Sequence, residues 1–457
     1  MRPFLSLLLV ATVGLAADAQ SAPGNTLTLE QALDIAAKNN PAYQQAVLGR
    51  DRAQAQARAA YGSLLPSADA SAGLGFREGR PQNFGGIALG ASSDIVQSSW
   101  NLSANSRFSW NTLNQIKRAN SALDAADADV TAARFNLRAQ VTQQFLLALQ
   151  TQARAALQDT LVSQQRLQLE LAQARAGVGT LTSLDVKRAE VGLGQQEVAA
   201  LRARNTAEVA KLQLFQQLGV AMPAGVTLAA DLPLAAPTFA AEDLLTQARQ
   251  ANPALQAVRA REQVAVAGLR SARGEYTPTL SLSANISAFT QKQLQFIANP
   301  GDTPAQDSAR REAFRIANSA YPFDFTRNPY SLSMNISIPI FDGLGRETRL
   351  QEANAAREEA VYTVRRQELQ LTADVTSAYV SLQAAFQAVE LQTRTAATAR
   401  EALQLAEERY RVGASTFVDL TTSRAEYERA ETDRIDAVYE YHRAFAALEN
   451  AVGRTLR

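Results

Sequence analysis

The sequence predicts a mainly α-helical chain with a small membrane β part, built as a tandem repeat of long coiled-coil helices and four strands. Three observations carry that expectation. One set of motifs occurs twice, two long proline-free stretches are rich in good helix formers, and four short segments alternate large apolar with small polar residues.

The duplication comes first, because a missed repeat mis-assigns a whole fold. Asn40-Pro41 in NNPAYQQA recurs as Asn252-Pro253 in ANPALQAV, and the same shift carries Leu33 onto Leu245, Ala36 onto Ala248 and Pro66 onto Pro278. Further along, RAGVGTLTSLDV (Arg175 to Val186) recurs as RYRVGASTFVDL (Arg409 to Leu420). That second match, at a larger shift, maps Asp185 onto Asp419 and Gly219 onto Gly453. An insertion after Pro278 accounts for the difference.

The chain then divides as follows. Residues 1–19 form a signal peptide, since Arg2, the apolar run Phe4 to Ala17 and Ala17-Asp18-Ala19 make a basic start, a short hydrophobic core and a cleavage site. Residues 20–220 form the first repeat: a helix, a β-hairpin at about 67–111, a long helix, a turn at about 175–185 and a helix. Residues 221–238, with Pro223, Pro233 and Pro237, form an extended linker. Residues 239–453 form the second repeat, with its hairpin at about 279–341 and its turn at about 409–419, and 454–457 are a tail. No later stretch reaches about 18 consecutive apolar residues, so no transmembrane helix is expected.

Composition excludes several classes of function. With 45 Lys+Arg against 44 Asp+Glu the net charge is +1, which gives no footprint for a nucleic-acid partner. There is no cysteine, and His442 is the sole histidine. Thiol nucleophiles, thiolate metal sites and imidazole chemistry are therefore not expected, nor is any cofactor, metal or enzymatic activity. His442 follows Tyr441 on a helical seam (Val438, Tyr441, Phe445, Leu448, Val452), which points to packing.

The long helices run from about Leu113 to Ala176 and from about Glu347 to Tyr410. The second carries Val364, Leu371, Val375, Ala378, Leu382, Ala385 and Val389, a three-four spacing typical of a coiled-coil seam. The four strand candidates are SADASAGLGF, SWNLSANSRFSWN, TLSLSANISAF and YSLSMNISIPI, in two hairpins. In the last, Tyr330, Leu332, Met334, Ile336, Ile338 and Ile340 share one face, and Ser331, Ser333, Asn335 and Ser337 the other. Only Asp69 and Arg107 bring charge to the polar rows. A soluble sheet would carry mixed charges there. Strands with an apolar outside, a polar inside and aromatics at or near their ends (Trp100, Trp110, Tyr330) fit an outer-membrane barrel. Four strands cannot close, since the smallest such barrels need about eight. Several copies must share one barrel. The connection from Thr290 to Pro329 reads as an exposed loop.

The two recurring turns explain themselves locally. Thr182-Ser183-Leu184-Asp185 and Thr416-Phe417-Val418-Asp419 are capping boxes, and Gly179 and Gly413 end the preceding helices in a left-handed conformation. The tandem plan, the N-P helix starts and the R-x-x-x-G-x5-D turns resemble the TolC family of outer-membrane efflux proteins over nearly all of the mature chain. The resemblance implies a homotrimer with a shared twelve-stranded β-barrel in outer-membrane lipid and an α-barrel through the periplasm. It implies a passive exit duct of a tripartite efflux pump or type I secretion system, joined by a periplasmic adaptor protein to an inner-membrane pump of RND or ABC type. By the same resemblance Tyr410 matches the gate tyrosine, Asp185 its aspartate partner and Asp419 a constriction carboxylate, while Arg175, Gly179, Arg409 and Gly413 belong to the adaptor-docking tip. Two positions depart from the family pattern: Thr422 stands where a second ring carboxylate is expected, and Ser415 where an arginine latches the gate. The alternative function is the periplasmic adaptor itself, which has one helical hairpin and no duplicated plan.

Overall fold

A computed structural model describes residues 26–79, 82–84, 87–89, 93–179, 181–298 and 301–456. The expected signal peptide lies outside the described residues. In chain order the elements are β1 (Thr26–Leu27), α1 (Leu29–Asn39), α2 (Pro41–Gly62), β2 (Ser67–Arg77), β3 (Gln82–Phe84), β4 (Ile87–Leu89) and β5 (Ile95–Ser109). Next come α3 (Trp110–Gly177), α4 (Ser183–Leu218), β6 (Thr227–Leu228), α5 (Ala241–Ala251), α6 (Pro253–Gly274) and β7 (Thr279–Gln293). Last are α7 (Pro304–Ser319), β8 (Thr326–Arg327), β9 (Ser331–Ser337), α8 (Gly345–Arg411) and α9 (Phe417–Val452).

The motif repeat becomes a repeat of lengths. Helices α1 and α5 have 11 residues each, α2 and α6 have 22, α4 and α9 have 36, and α3 and α8 have 68 and 67. Since the helices agree so closely, the extra residues of the second half lie mostly in the connection between β7 and β9, and the rest in residues 338–344 between β9 and α8, where the first half runs directly from β5 into α3. Two compact units draw on both halves: one takes residues up to Gln45, Ala133–Asn252 and Leu371–Arg457, the other Ala46–Ala132 and Pro253–Gln370.

In the first unit, Leu27, Val141, Phe145, Leu214, Leu218 and Leu228 belong to one buried cluster. The parallel pair β1–β6 closes over it. On α8, Leu371, Val375, Leu382, Ala385 and Val389 are buried, which is the seam read from the three-four spacing. His442 is buried edge-on against Tyr441, their ring centroids 5.0 Å apart.

The Asn-Pro motif has a physical role here. Asn40 ends α1, and its Nδ2 donates to the carbonyl of Gln217 at 2.8 Å, on the last turn of α4. Asn252 ends α5, and its Nδ2 donates to the carbonyl of Ala451 at 2.9 Å, on the last turn of α9. Each asparagine thus satisfies a helix-end carbonyl that would otherwise lack a partner, and Pro41 and Pro253 start the next helix where a missing N–H costs nothing. Gly219 and Gly453 follow α4 and α9 with φ of 78° and 86°. At Gly219 a Cβ would stand 2.4 Å from the carbonyl oxygen of Asn39.

In the second unit, β2, β5, β7 and β9 form one antiparallel sheet in that order, with β8 also on β7. Register puts the apolar residues on one face: Ala72 opposes Trp100, Leu102 opposes Ile286, Phe108 opposes Leu280, and Leu282 opposes Met334. The other face carries Ser71, Asn101 and Ser287 in line, and Asn105 beside Ser283. Ser283 and Ser333 share a hydroxyl hydrogen bond of 2.6 Å. The apolar face is uncovered where it is most apolar, with Leu74 at 73% and Leu332 at 77% exposed.

Three expectations for this region need correction. Strand β5 begins at Ile95, so Trp100 sits inside it rather than at its end; Gln97, Ser98 and Ser99 hide the extension because they interrupt the alternation. Strand β9 stops at Ser337, two residues before Pro339, whose missing N–H cannot serve a ladder. The connection after β7 is not a plain loop, because it contains α7. Trp110 opens α3, and Tyr330 immediately precedes β9 with 82% of its surface exposed.

The helix-end contact is testable by thermal melting. Gly219 and Gly225 both have positive φ, 78° and 71°, but nothing lies within 4 Å of a Cβ at Gly225. Gly225→Ala should cost about 1–2 kcal/mol through backbone strain alone. Gly219→Ala should cost clearly more. Equal losses would show that the contact with Asn39 is unimportant.

Candidate functional site at the paired turns

Both recurring turns belong to the first unit. At the end of α8, Gly413 adopts φ 78°; its N–H donates to the carbonyl of Tyr410 at 3.2 Å, and that of Ala414 donates to the carbonyl of Arg409 at 2.8 Å. This is the two-bond Schellman ending, which needs a residue free of Cβ strain at that position. Gly179 has the same φ after α3, and its N–H donates to the carbonyl of Ala176 at 3.0 Å.

The helices that leave the turns are capped as the spacing predicts. Thr416 Oγ1 accepts from the N–H of Asp419 at 3.2 Å, while Asp419 Oδ2 accepts from the Thr416 N–H at 2.9 Å and from its hydroxyl at 2.8 Å. The Thr416 backbone bond, followed by the hydroxyl bond, holds the Asp419 carboxyl below its ordinary value. Thr182 Oγ1 likewise accepts from the Asp185 N–H at 3.3 Å and donates to Asp185 Oδ2 at 2.7 Å. Arg188, one turn on, lies 3.6 Å from Asp185 Oδ1.

Arg175 joins the two turns. Its Nη2 donates to the carbonyl of Arg411 at 3.0 Å, its Nη1 reaches the carbonyl of Tyr410 at 3.4 Å, and its guanidinium lies 5.6 Å from the centre of the Tyr410 ring. A cation at the carbonyl end of a helix is favoured by the helix dipole, and one over an aromatic face by the ring quadrupole. Phe417 packs edge-on against Tyr410, with ring centroids 6.2 Å apart. Burial, then the negative charge of Asp185, pushes the Tyr410 hydroxyl above its ordinary value, against the opposing pull of Arg175. Among the described residues that hydroxyl finds no hydrogen-bond partner, and neither does the buried hydroxyl of Ser415.

Arg175, Asp185, Arg188, Tyr410, Ser415 and Phe417 line a cavity of about 580 Å³, and Gly413 also borders it. Of the residues singled out from sequence, then, Arg175, Asp185, Tyr410 and Gly413 come together. Asp419, Gly179 and Arg409 do not line it: Asp419 is committed to its cap, and Arg409 is exposed on the last turn of α8. Thr422 donates its hydroxyl to the carbonyl of Val418 at 3.0 Å, a bond within its own helix. Trp100, Trp110 and Tyr330 belong to the other unit.

Sequence reasoning passed over Arg188, Phe417 and Arg424. Arg188 was legible as a partner three residues beyond Asp185 on a helix. Arg424 is buried, with Nη1 donating to Gln165 Oε1 at 2.6 Å and Nη2 to Glu407 Oε1 at 3.3 Å. Its spacing of four from buried Leu420 was the available signal.

Comparison with known proteins gives consistent matches. A family model described as outer membrane efflux protein matches residues 32–220 and 244–454. Protein CyaE of Bordetella pertussis is 28% identical over 369 residues, covering 79% of this chain and 70% of that protein. The pyoverdine export outer membrane protein OpmQ of Pseudomonas putida is 27% identical over 439 residues, covering 93% and 85%. Among solved structures, the CmeC outer membrane channel of Campylobacter jejuni superposes with a TM-score of 0.74 at 17% identity, covering 93% of this chain and 85% of that one. The outer membrane protein VceC of Vibrio cholerae gives 0.70 at 19% identity, covering 94% and 97%.

The capping role of Asp419 predicts a pH dependence. Its folded pKa lies below the ordinary 3.8, so the cap stabilises α9 above that value and is lost as pH falls through the lowered one. Hydrogen exchange, corrected for intrinsic rates, should show the first turn of α9 losing protection in that acid window. Asp419→Asn should abolish the dependence and Asp185→Asn should leave it. Persistence in Asp419→Asn would contradict the assignment.

Proposed function

Because this chain belongs to the outer membrane efflux protein family, and so is an outer-membrane duct of efflux or secretion systems, we propose that three copies complete the duct by joining their strands into one twelve-stranded barrel. The observation that carries this reading is the open sheet: β2 and β9 are edges, and the face that bears Leu74, Leu332, Met334 and Ile336 is exposed. Fully covering one such side chain is worth about 1.5–3 kcal/mol, and lipid supplies that cover around a closed barrel. The Ser/Asn face then lines a watery lumen. The helical part occupies the periplasm. The adaptor alternative falls with the family assignment.

Under this reading the paired turns form the periplasmic tip. Arg175, Gly179, Arg409 and Gly413 present the surface to which a periplasmic adaptor docks, and an inner-membrane pump of RND or ABC type supplies the energy. Tyr410 and Asp185 act as the gate. What supports the pair is their shared cavity, and a Tyr410 hydroxyl that is buried near a carboxylate without a bond of its own. Asp419 contributes to the gate indirectly, by fixing where α9 begins.

Purified protein in a planar bilayer should form ion-conducting channels, and Asp185→Ala combined with Tyr410→Phe should raise single-channel conductance. Failure to conduct at all would overturn the duct reading. Unchanged conductance in the double variant would overturn the gate assignment alone.

A further inference from the structure

The connection between β7 and β9 is anchored to the strand ends along its length. The Asn318 amide forms two bonds with the backbone of Gln293, donating from Nδ2 to the carbonyl and accepting the N–H at Oδ1, each at 2.9 Å. Asn328 repeats the device: its N–H donates to the carbonyl of Ser287 and its Nδ2 to Ser287 Oγ, both at 2.9 Å. Leu294 N–H donates to the carbonyl of Asp94 at 2.8 Å, and Gln295 N–H to Ser93 Oγ at 2.9 Å. Helix α7 is held from within the same segment. Phe314 packs edge-on against Phe296 at 5.6 Å, and Arg311 lies over the Phe296 ring at 4.5 Å.

The side of the sheet that α7 covers is readable from alternation. Ile95, Phe289, Gln291 and Gln293 all belong to the row that continues the serines and asparagines, and they line a cavity of about 790 Å³ with Phe314 and Ala317 of α7. Thr290 is the one β7 residue of the opposite row that joins them. Ser287, which receives Asn328, also belongs to the polar row. The cavity between α7 and the sheet thus opens mainly on the polar row, at the end of the strands remote from α2, α3, α6 and α8, while Ala288 and Thr290 of the apolar row are buried at the same end.

We propose that α7 forms an outer constriction of the duct, laid across the lumen side of the strand ends. The proposal rests on the reading that the polar row faces the lumen of a shared barrel. Twelve strands about 4.8 Å apart, tilted about 40°, close at a backbone diameter of about 24 Å. Three helices about 11 Å across, packed together, fit a circle of about that width. One α7 per copy thus suffices to narrow the mouth, and cargo that has passed the tip meets a second barrier built from Phe289, Phe314 and amide side chains.

The chain has no cysteine, so single cysteines report cleanly. Intact cells carrying Asn285→Cys, on the polar row, or Leu282→Cys, on the apolar row, are treated with a charged, membrane-impermeant maleimide. Asn285→Cys should label and Leu282→Cys should not, and the reverse pattern would sink the underlying lumen assignment. In the Asn285→Cys background, replacing residues 304–319 by a Gly/Ser linker should speed labelling by about tenfold, as should Asn318→Ala with Asn328→Ala. If the linker variant does not reach the outer membrane, the double asparagine variant decides. Correct face selectivity with an unchanged rate would overturn the constriction and leave the barrel intact.

Discussion

A strand edge surrounded by hydrocarbon leaves a row of N–H and C=O groups without partners, at several kcal/mol for each group. Much of this chain answers to that constraint. Its sheet has open edges at β2 and β9, and it carries an apolar row on one face and a serine/asparagine row on the other. A sheet of this kind is stable in a membrane only if other copies continue it. The path from edge to edge matters as well: through β5 and β7 it places β2 and β9 antiparallel to one another, so each edge can accept the other in the same alternating sense.

The helical unit solves a different problem, the positioning of four helix ends. Duplication provides one solution used twice. Asn40 and Asn252 bind the last turns of α4 and α9, and Gly219 and Gly453 let the chain leave those turns in a left-handed conformation. At the turns, Thr182/Asp185 and Thr416/Asp419 start the returning helices in the same manner. The halves part company at Arg175, which reaches the carbonyls of the other turn, whereas its counterpart Arg409 is exposed. That break in symmetry lets one turn hold the backbone of the other.

Most of the architecture was legible in the sequence because it rests on local rules. Strict alternation marked the strands, Pro66 and Pro278 marked their beginnings, and Thr-x-x-Asp marked the caps. What escaped depended on distant contacts or on signals read too coarsely. The first residues of β5 lacked alternation and are strands through their pairing with β2 and β7. Helix α7 did announce itself: Thr303-Pro304 with Gln306 is a helix start, and the Thr303 N–H does donate to Gln306 Oε1 at 2.9 Å. The reach of Arg175 across to Arg411, and the commitment of Asp419 to its own cap rather than to the cavity, follow from three-dimensional proximity that no spacing encodes.

A shared barrel requires β2 of one copy to pair with β9 of another. Cysteine pairs placed along the two strands, such as Ser71→Cys with Ser333→Cys and neighbouring registers, test it in native membranes. At one register, oxidation should link copies into a covalent trimer that reduction dissolves. A complete scan that yields only monomers, with protein present in the outer membrane, would contradict the shared barrel.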